Sequence, residues 1–513
     1  MWSADHAPRP LAVLAGLALV LALARLATYH EPLQTDITGA AVIAHEVLGG
    51  RPLYADMWDH KPPALVLTHM AAIALAGWGP GAVFLLNLTA SLASLVGVYA
   101  AGAAIGSTAA GLWAAAFWTV ISGDLWLEGN QPNAEAFINA CVAWTFALLA
   151  RTGAGAGPPR FVAIGALVAW ASLYKQVALV PAALLLLAHV AWAPPGRPRL
   201  RALGDSAAVA GVVVLAWGTT LGYFWAVGRF AAFWDAVVVY NRHYASASGG
   251  LAGHLKLTLQ PAQLLSAWLG SVVPLAVLAA VGAVVGLLTA RGRHWALFGA
   301  LVVATPLVIG LPGAFAPHYY QLWFPALVIG GGWAPHSLAR VTRGRLAWAP
   351  QLAAGAALVL LLVNQAPLYL LSPDDWSVVK YGPIFVEEKK LARELDTLLG
   401  PGETFYVWGS EVGLHFWTRR PPVCGACSVW PVATGPLARS LTDRVMADLT
   451  RRPPELVVVA NWTWQWLKVR HPVIEWAVER YRPMPGGHER GPFSLYVRRG
   501  GPLEERTERA AKR

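Results

Sequence analysis

The segment LYADMWDHKPPALVLTH, residues 53–69, concentrates ionisable and aromatic side chains in a chain otherwise rich in Ala, Leu, Val and Trp. The side chains in it that could take part in binding or catalysis are Tyr54, Asp56, Trp58, Asp59, His60 and Lys61. Carboxylates can accept a proton or position a hydroxyl group, and cations can stabilise a departing anion. The segment therefore predicts one wall of a polar site.

The composition places this segment in a membrane protein. Of 513 residues, 56% are hydrophobic and only 13% are charged, whereas a soluble chain carries roughly a quarter of charged residues. Several runs approach the length of about 20 apolar residues that spans a bilayer. The net charge is +11, and many of the arginines lie in short loops between those runs. In a membrane protein this placement is an orientation signal, so the positive charge does not indicate nucleic-acid binding.

Eleven apolar runs are predicted to span the membrane: those near residues 10–28, 80–105, 108–122, 133–150, 160–174, 176–192, 204–228, 263–290, 296–312, 317–333 and 351–370. The arginine-bearing connections are 151–160, 193–203, 291–294 and 334–347, with even numbers of spans between them. The positive-inside rule therefore places these connections in the cytoplasm and the C-terminus outside. The apolar segment 62–78 would invert this parity if it crossed, so it is predicted to be an interfacial or re-entrant helix.

The chain divides into a membrane domain, residues 1–370, an exoplasmic α/β domain, residues 371–500, and a tail, residues 501–513. In the second domain TFYVWG, LVVVAN and SLYVRR are predicted strands, and EEKKLARELDTLLG, 436–451 and 464–480 are predicted helices. The charged tail EERTERAAKR is predicted to be disordered.

The three cysteines give no indication of a metal site. Cys141 lies in a predicted span and is expected to pack there. Cys424 and Cys427 form a C-x-x-C pair, for which a structural disulfide is favoured over two free thiols. A zinc site needs a second pair or histidines at ligand spacing, and neither is apparent.

The predicted topology gathers the ionisable side chains at the exoplasmic ends of the spans. Ionisable groups at membrane depth are costly, so their positions are informative. These ionisable residues come from six segments. Besides those of the segment 53–69, they are Glu31, Asp36, His45, Asp124, Glu128, Glu135, Lys175, Arg242, His243 and His318. We therefore expect one polar site at the outer membrane surface.

These residues resemble a known family. Asp36 in LQTDITGAAVIAHEVLGGRPLYADMWDHKPPAL, the acidic Glu135, Lys175 between two spans and the late HYYQLWFPAL together resemble glycosyltransferases of the GT-C superfamily. The most similar branch is the bacterial one related to protein O-mannosyltransferases and the lipid A aminoarabinose transferase. The resemblance covers residues 10–370 in order and topology, and GGRPLYADMWDHKPP is its most specific part.

The resemblance implies an enzyme of the plasma (inner) membrane. It would transfer a hexosyl or pentosyl group, with inversion, from a polyprenyl-phosphate donor to a lipid, glycan or protein acceptor at the exoplasmic, or periplasmic, face. The family uses an acidic residue of the first exoplasmic loop in catalysis, and Asp36 matches that position. The resemblance leaves the sugar, the acceptor and the oligomeric state open.

The chemistry of such a transfer assigns a role to each candidate. Asp36 would be the base or would position the acceptor, and Glu135 is the second catalytic candidate. The donor phosphate would be held by Lys61, Lys175, Arg242 and His318. Asp59 and His60 are substrate-binding candidates, and Tyr54 and Trp58 would stack on a sugar or anchor the loop. No cofactor is predicted, although a divalent cation at Asp36 and other carboxylates stays open.

Structural explanations compete with these roles. Asp36 can cap the helix that follows it, Glu135 can interact with a helix dipole, and Lys175 can reach the membrane interface. Lys61 can simply pair with Asp59. At the level of function, the alternatives are a transporter or flippase of lipid-linked sugars, a glycan polymerase or ligase, and a non-catalytic membrane scaffold.

Overall fold

The computed structural model describes residues 10–246, 253, 256, 267–289, 292–342, 344–466 and 470–512. Each predicted span within these ranges is a helix. The α-helices are Pro10–Leu26, Pro80–Ile105, Thr108–Ile121, Ala134–Ala150, Pro158–Tyr174, Leu179–Ala191, Arg199–Ala226, Val273–Thr289, Arg293–Gly310, Phe324–Leu338 and Ala349–Gln365. Turns of 3-10 helix precede or extend several of them, at Gln176–Ala178, Ala267–Val272, Pro317–Trp323 and Ala366–Leu370. Residues 263–266 and 290 of one predicted span lie outside the described residues.

Length and composition identify five helical stretches, among the residues described, as able to cross a membrane. They are Pro80–Ile105, Arg199–Ala226, Gly270–Thr289, Arg293–Gly310 and Ala349–Leu370. Shorter apolar helices include Pro10–Leu26, Thr108–Ile121 and Ala134–Ala150. The chain is therefore a helical membrane protein, as predicted, and the count of eleven spans stays a prediction.

Small residues let the central helices approach closely. A side-chain carbon added at Gly332 would lie 2.5 Å from the carbonyl oxygen of Ala110, and one at Gly282 would lie 2.5 Å from Cα of Ala334. In lipid, helices associate through such close packing because there is no hydrophobic gain in moving apolar side chains from lipid to protein. The helix Phe324–Leu338, which contains Gly332 and Ala334, therefore forms the centre of the bundle.

Three of the four arginine-bearing connections meet at one end of the bundle. Arg197 binds Asp205 through its Nε, 2.6 Å from Oδ2, and donates to the carbonyl of Ala156 at 3.1 Å. Arg293 donates to the carbonyl of Trp192 at 2.8 Å. Connections 151–160, 193–203 and 291–294 thus share one end, which is the grouping that the parity requires, and the orientation of that end stays a prediction.

The connections at the opposite end contain further helices. The first of these connections holds Thr35–Leu48 and Ala64–Ala76, and a later one holds Phe230–Trp234, the π-helical Asp235–Tyr240 and Asn241–Ser246. Ala64–Ala76 has 13 residues, fewer than the roughly 20 needed to span. That length agrees with an interfacial or re-entrant helix, which stays a prediction.

The C-terminal domain is the predicted α/β unit. Its strands are β1 (Phe405–Trp408), β2 (Leu456–Ala460), β3 (Tyr481–Pro483), β4 (Glu489–Arg490) and β5 (Phe493–Arg498). The sheet order is β1-β2-β5-β3, with β4 on β5, and β1 runs parallel to β2 whereas β5 is antiparallel to β2 and β3. The helices are Pro373–Tyr381, Ile384–Leu398, Gly413–Thr418, Val429–Ala433, Ala438–Arg451, Trp462–Trp466 and Pro472–Arg480. All three predicted strands are confirmed, and residues 467–469 of the predicted helix 464–480 lie outside the described residues.

The predicted disorder of the C-terminal tail is wrong. Residues Pro502–Ala511 form a helix whose Leu503 is fully buried. Its charges are paired: Arg506 lies 2.5 Å from the Glu403 carboxylate, and Arg482 binds Glu508. The charged residues of the tail lie on the outer face of an ordered helix. The buried Leu503 and the ion pairs of Arg506 and Glu508 hold this helix in place.

The C-terminal domain docks on the segment 53–69. The amide of Trp58 donates to the carbonyl of Gly425 at 3.1 Å, and Arg444 donates to the carbonyl of Asp56 at 2.7 Å. Arg51 binds the Asp56 carboxylate at 2.8 and 2.9 Å. Arg51 also donates to the carbonyl of Pro422 in the C-terminal domain at 2.8 Å. The Asp56 charge is thus structural, because it positions an arginine that contacts the docked domain.

The cysteine pair differs from the favoured disulfide. Cys424 and Cys427 are free thiols. Cys424 is buried with Sγ 3.8 Å from the carbonyl of Val445, and Cys427 Sγ lies 3.6 Å from the carbonyl of Cys424. The alternative of two free thiols is the one observed. Cys141 is buried in its helix, as expected.

Candidate active site

Asp36 and Lys61 form the centre of the site. Asp36 stands in the first turn of Thr35–Leu48, where its amide donates to the side chain of Gln34 at 2.8 Å. The capping group is therefore Gln34, which leaves the Asp36 carboxylate available for other contacts. Lys61 Nζ lies 3.1 Å from Asp36 Oδ1, and His318 Nε2 lies 3.9 Å from Oδ2.

A second ion pair joins two helix ends beside the first. Glu135 is in the first turn of Ala134–Ala150 and is 1% exposed. Lys175 follows Pro158–Tyr174 in extended conformation, and its Nζ lies 2.5 Å from Glu135 Oε1. The ammonium also lies 4.0 Å from the ring centroid of Tyr319. Removing one partner of a buried ion pair leaves the other without compensation, which is strongly destabilising.

His318 connects these pairs to a third carboxylate. It belongs to the 3-10 helix Pro317–Trp323, and its Nδ1 lies 3.4 Å from Glu128 Oε2. Glu128 has φ 55°, and its carbonyl accepts from the side chain of Gln321 at 3.1 Å. The ring therefore has an acidic neighbour on each side, Asp36 and Glu128.

The five principal candidates lie together. Asp36, Lys61, Glu135, Lys175 and His318 line one small cavity. A neighbouring cavity of about 150 Å³ is lined by Asp36, Lys61 and Lys175 together with Tyr319 and apolar groups. A third cavity of about 610 Å³ contains Asp36 and Lys61 and extends to the C-terminal domain. Asp36 is thus at the junction of all three.

The electrostatics keep both central groups charged. Burial alone would raise the pKa of the Asp36 carboxyl, but Lys61, with His318 and Lys175, outweighs burial and holds that pKa well below its usual range. Burial would lower the pKa of Lys61, and the carboxylates of Asp36 and Asp59 instead hold it above its usual range. The site thus contains a carboxylate and an ammonium in contact.

Three further candidates line the large cavity. Trp58, Asp59 and His60 all face it. The Lys61 amide donates to Asp59 Oδ1 at 3.2 Å, which shapes the turn before the Pro-Pro step. Burial and then the adjacent Lys61 lower the pKa of His60 to about 4, so the ring is neutral at pH 7. All three residues therefore share one cavity with Asp36.

Two candidates are not brought to the site. Tyr54 is fully buried, donates its hydroxyl to the Lys61 carbonyl at 2.8 Å and packs against Phe224 and Phe233. It anchors the loop and has no face for a sugar. Arg242 is exposed and is not one of the described residues that line the three cavities around Asp36. Its side chain is exposed on the helix Asn241–Ser246, and phosphate binding by Arg242 stays a prediction.

Sequence reasoning missed several residues of the site. Tyr244 and Tyr319 line the cavity of about 150 Å³ with Asn241 and Gln176, and the large cavity receives Ser410, Ser428 and Trp430 from the C-terminal domain. Tyr319 directly follows the candidate His318, and this adjacency in the sequence could have indicated that Tyr319 lies in the site. The residues of the C-terminal domain carry no such indication, because only the docked fold brings them to Asp36.

The described part of the chain holds no group of three His, Cys, Asp or Glu side chains arranged for a metal ion. A divalent cation at Asp36 would have to compete with Lys61, whose ammonium lies 3.1 Å from Oδ1. The possibility of a divalent cation therefore gains no support from the arrangement of these carboxylates.

The protein combines a helical bundle, a docked α/β domain and a charged cavity between them. These features define the class of polytopic membrane proteins with a polar site at one end of the spans. Solved structures of similar fold are GT-C glycosyltransferases. ArnT from Cupriavidus metallidurans in the apo state has a TM-score of 0.60 at 16% identity, with 95% of this chain and 97% of that chain covered.

Two other similar structures show the same fold. The Archaeoglobus fulgidus oligosaccharyltransferase tethered with an acceptor peptide has a TM-score of 0.52 at 13% identity, covering 92% of this chain and 72% of that one. The mycobacterial arabinofuranosyltransferase AftD has a TM-score of 0.50 at 13% identity, covering 94% and 41%. No family model and no curated protein sequence matches the chain. The chain has the GT-C fold, which confirms the fold that the sequence resemblance implied.

Proposed function

We propose that this protein is a membrane glycosyltransferase that moves a hexosyl or pentosyl group from a polyprenyl-phosphate donor to a lipid, glycan or protein acceptor. The observation that carries the proposal is the Asp36–Lys61 pair at the junction of the three cavities, in a protein with the GT-C fold. In support, a structure of similar fold, the archaeal oligosaccharyltransferase AglB, is a complex with an inhibitory peptide and a dolichol-phosphate.

The donor phosphate would bind between Lys61 and Lys175. Both lysines line the cavity of about 150 Å³, whose other walls include the apolar Val177, Leu311 and Pro312. A polyprenyl phosphate carries its phosphate at the end of an apolar chain, so the lysines could bind the phosphate while the chain lies on this apolar wall. The two ammonium groups now pair with Asp36 and Glu135, and the phosphate would share them, as charge-assisted contacts allow.

Asp36 would act on the acceptor hydroxyl. In the resting site its low pKa makes it a weak base, because an efficient base has a pKa near the working pH. A bound phosphate adds negative charge beside Lys61 and Lys175 and thereby raises the pKa of Asp36. The acceptor oxygen would then attack the anomeric carbon while Asp36 takes its proton. The bond from that carbon to the phosphate oxygen breaks, and the electron pair leaves with the polyprenyl phosphate.

Glu135 and His318 would support this step without contacting the sugar. Glu135 holds Lys175 at 2.5 Å, and His318 lies between Asp36 and Glu128. Single displacement at the anomeric carbon inverts its configuration. We propose that the site lies on the exoplasmic side of the plasma membrane, because three of the four arginine-bearing connections meet at the end of the bundle opposite Asp36.

The test is transfer by the purified protein in nanodiscs from labelled polyprenyl-phosphate hexoses and pentoses to a membrane extract. We expect label to enter the acceptor fraction with release of polyprenyl phosphate, and a Lys61→Ala/Lys175→Ala variant to lose the activity. In sealed vesicles a flippase would instead move the label across the bilayer with the sugar–phosphate bond intact. That result, without transfer from any donor, would contradict the proposal.

A further inference from the structure

The C-terminal domain contributes one wall of the large cavity that contains Asp36. From this domain Ser410, Ser428 and Trp430 face the cavity of about 610 Å³. Trp430 belongs to the short helix Val429–Ala433 and is 44% exposed. Its ring stacks on Trp462 with centroids 5.9 Å apart and planes 25° from parallel. One face of the Trp430 indole is therefore supported by a second indole.

A buried carboxylate fixes the geometry of this wall. Glu411 Oε1 accepts from the indole Nε1 of Trp462 at 2.7 Å, and its Oε2 accepts from the Ser410 amide at 2.8 Å. The Ser410 and Ser428 hydroxyls lie 2.9 Å apart. The aromatic face and the hydroxyl pair are thus held by one network and need little ordering on binding, which preserves affinity.

We infer that Trp430, Ser410 and Ser428 form a carbohydrate subsite that binds a sugar ring of the acceptor, so that the acceptor is a glycan or a glycosylated lipid. The inference rests on the proposed function. An aromatic face covers the C–H face of a sugar ring, and paired hydroxyls can donate to and accept from ring hydroxyls. A lipid phosphate would instead need cations, which lie on the Asp36 side.

The positions of the cavities assign this subsite to the acceptor and not to the donor sugar. Lys175 lines the two smaller cavities that contain Asp36, whereas Trp430 lines the large one. A donor phosphate held at Lys61 and Lys175 puts its sugar beside Asp36. The wall formed by the C-terminal domain is then left for the molecule that supplies the attacking hydroxyl.

The experiment is saturation-transfer-difference NMR on the full-length protein in nanodiscs. The probes are methyl α-D-mannopyranoside, methyl β-D-glucopyranoside and methyl α-D-arabinofuranoside. At least one should bind, and Trp430→Ala should weaken its affinity by roughly 3- to 10-fold, the scale of an aromatic contact. Trp464→Ala is the matched control, since Trp464 is in the same domain and 43% exposed. A decaprenyl-phosphate-linked hexose, with its own binding first confirmed on the wild-type protein, should leave the glycoside resonances unchanged.

Three results would overturn the inference: no glycoside binds, Trp430→Ala binds like Trp464→Ala, or the decaprenyl-phosphate-linked hexose displaces the glycoside. The last result would assign the platform to the donor sugar. Because these readouts need no turnover, they are distinct from the transfer assay. Absence of transfer with glycoside binding intact would remove the proposed enzyme function and leave a carbohydrate site.

Discussion

Asp36 and Lys61 illustrate how a single residue pair can be both costly and useful. Each group alone would be destabilised by burial, and each keeps the other charged across 3.1 Å. Removing one partner leaves the other uncompensated, which is the expensive case for buried ions. The pair is thus stable at rest and can be opened by a ligand that supplies a new anion.

Replacement of Lys61 by methionine should change the pH profile of transfer. Lys61 is the leading cause that lowers the pKa of Asp36, and burial raises it. Without Lys61 the pKa of Asp36 therefore rises. In the donor-free wild-type protein Asp36 stays ionised from pH 8 down to pH 5, whereas in Lys61→Met the acid limb of kcat/KM for transfer moves to higher pH. The measurement is rate against pH, and the double variant with Asp36→Asn should lack the shifted limb. An unshifted limb in Lys61→Met would contradict the electrostatic assignment.

Lys175→Ala should weaken donor binding. A charge-assisted contact to phosphate is worth about 1.5–3 kcal/mol, which corresponds to roughly 10–150-fold in affinity. Binding of a labelled polyprenyl-phosphate sugar to the protein in nanodiscs measures it directly. Lys390→Ala serves as control, because Lys390 pairs with Glu387 on the exposed surface of the C-terminal domain. Equal affinities for the two variants would remove Lys175 from the phosphate site.

At the scale of elements, the docking of the C-terminal domain depends on a glycine. A side-chain carbon at Gly425 would lie 1.9 Å from the carbonyl oxygen of Asp56. Gly425→Ala should therefore separate the domain from the segment 53–69, with destabilisation of about 1–3 kcal/mol. Thermal unfolding and limited proteolysis should both report the change.

The control for this variant is Gly153→Ala, since nothing lies within 4 Å of the corresponding position. Because Trp430 and Asp36 face one cavity across the docking interface, Gly425→Ala should also reduce transfer. If Gly425→Ala has the proteolysis pattern and melting temperature of Gly153→Ala, the interface is not the one described here.

Periodicity and hydropathy predicted the apolar helices and three of the five strands, but they missed the helix Pro502–Ala511 and most contacts between elements. The runs near 80–105 and 351–370 and the strands of LVVVAN and SLYVRR were found from local pattern alone. Positive-inside parity then brought Asp36, Lys61, Lys175 and their neighbours to one end. The contribution of Trp430 and the burial of Tyr54 depend on contacts between segments far apart in the chain, which no local pattern encodes.

At the scale of the whole molecule, the two ends of the bundle have different chemistry. One end holds the arginine connections around Arg197 and Arg293, and the other holds the carboxylates and lysines around Asp36. The spans separate the two ends. The positive-inside rule therefore predicts that Asp36 and the C-terminal domain face outward.

Cysteine labelling tests this orientation. In a background with Cys141, Cys424 and Cys427 replaced by alanine, a cysteine at Glu479 should react with an impermeant maleimide on intact cells. Glu479 is suitable because its side chain is 71% exposed in the C-terminal domain. A cysteine at Gly155, in connection 151–160, should react only after permeabilisation. Labelling of both positions, or of neither, on intact cells would refute the parity.

The central claim is that Asp36 takes part in sugar transfer, and the most direct measurement compares Asp36→Asn with the wild-type protein. Asparagine keeps the shape and removes the proton acceptor, so transfer should fall by roughly 10²–10⁴-fold while donor binding survives. Asp235→Asn, an exposed aspartate in a connection at the same end, is the matched control and should transfer normally. Transfer by Asp36→Asn at the wild-type rate would contradict the account.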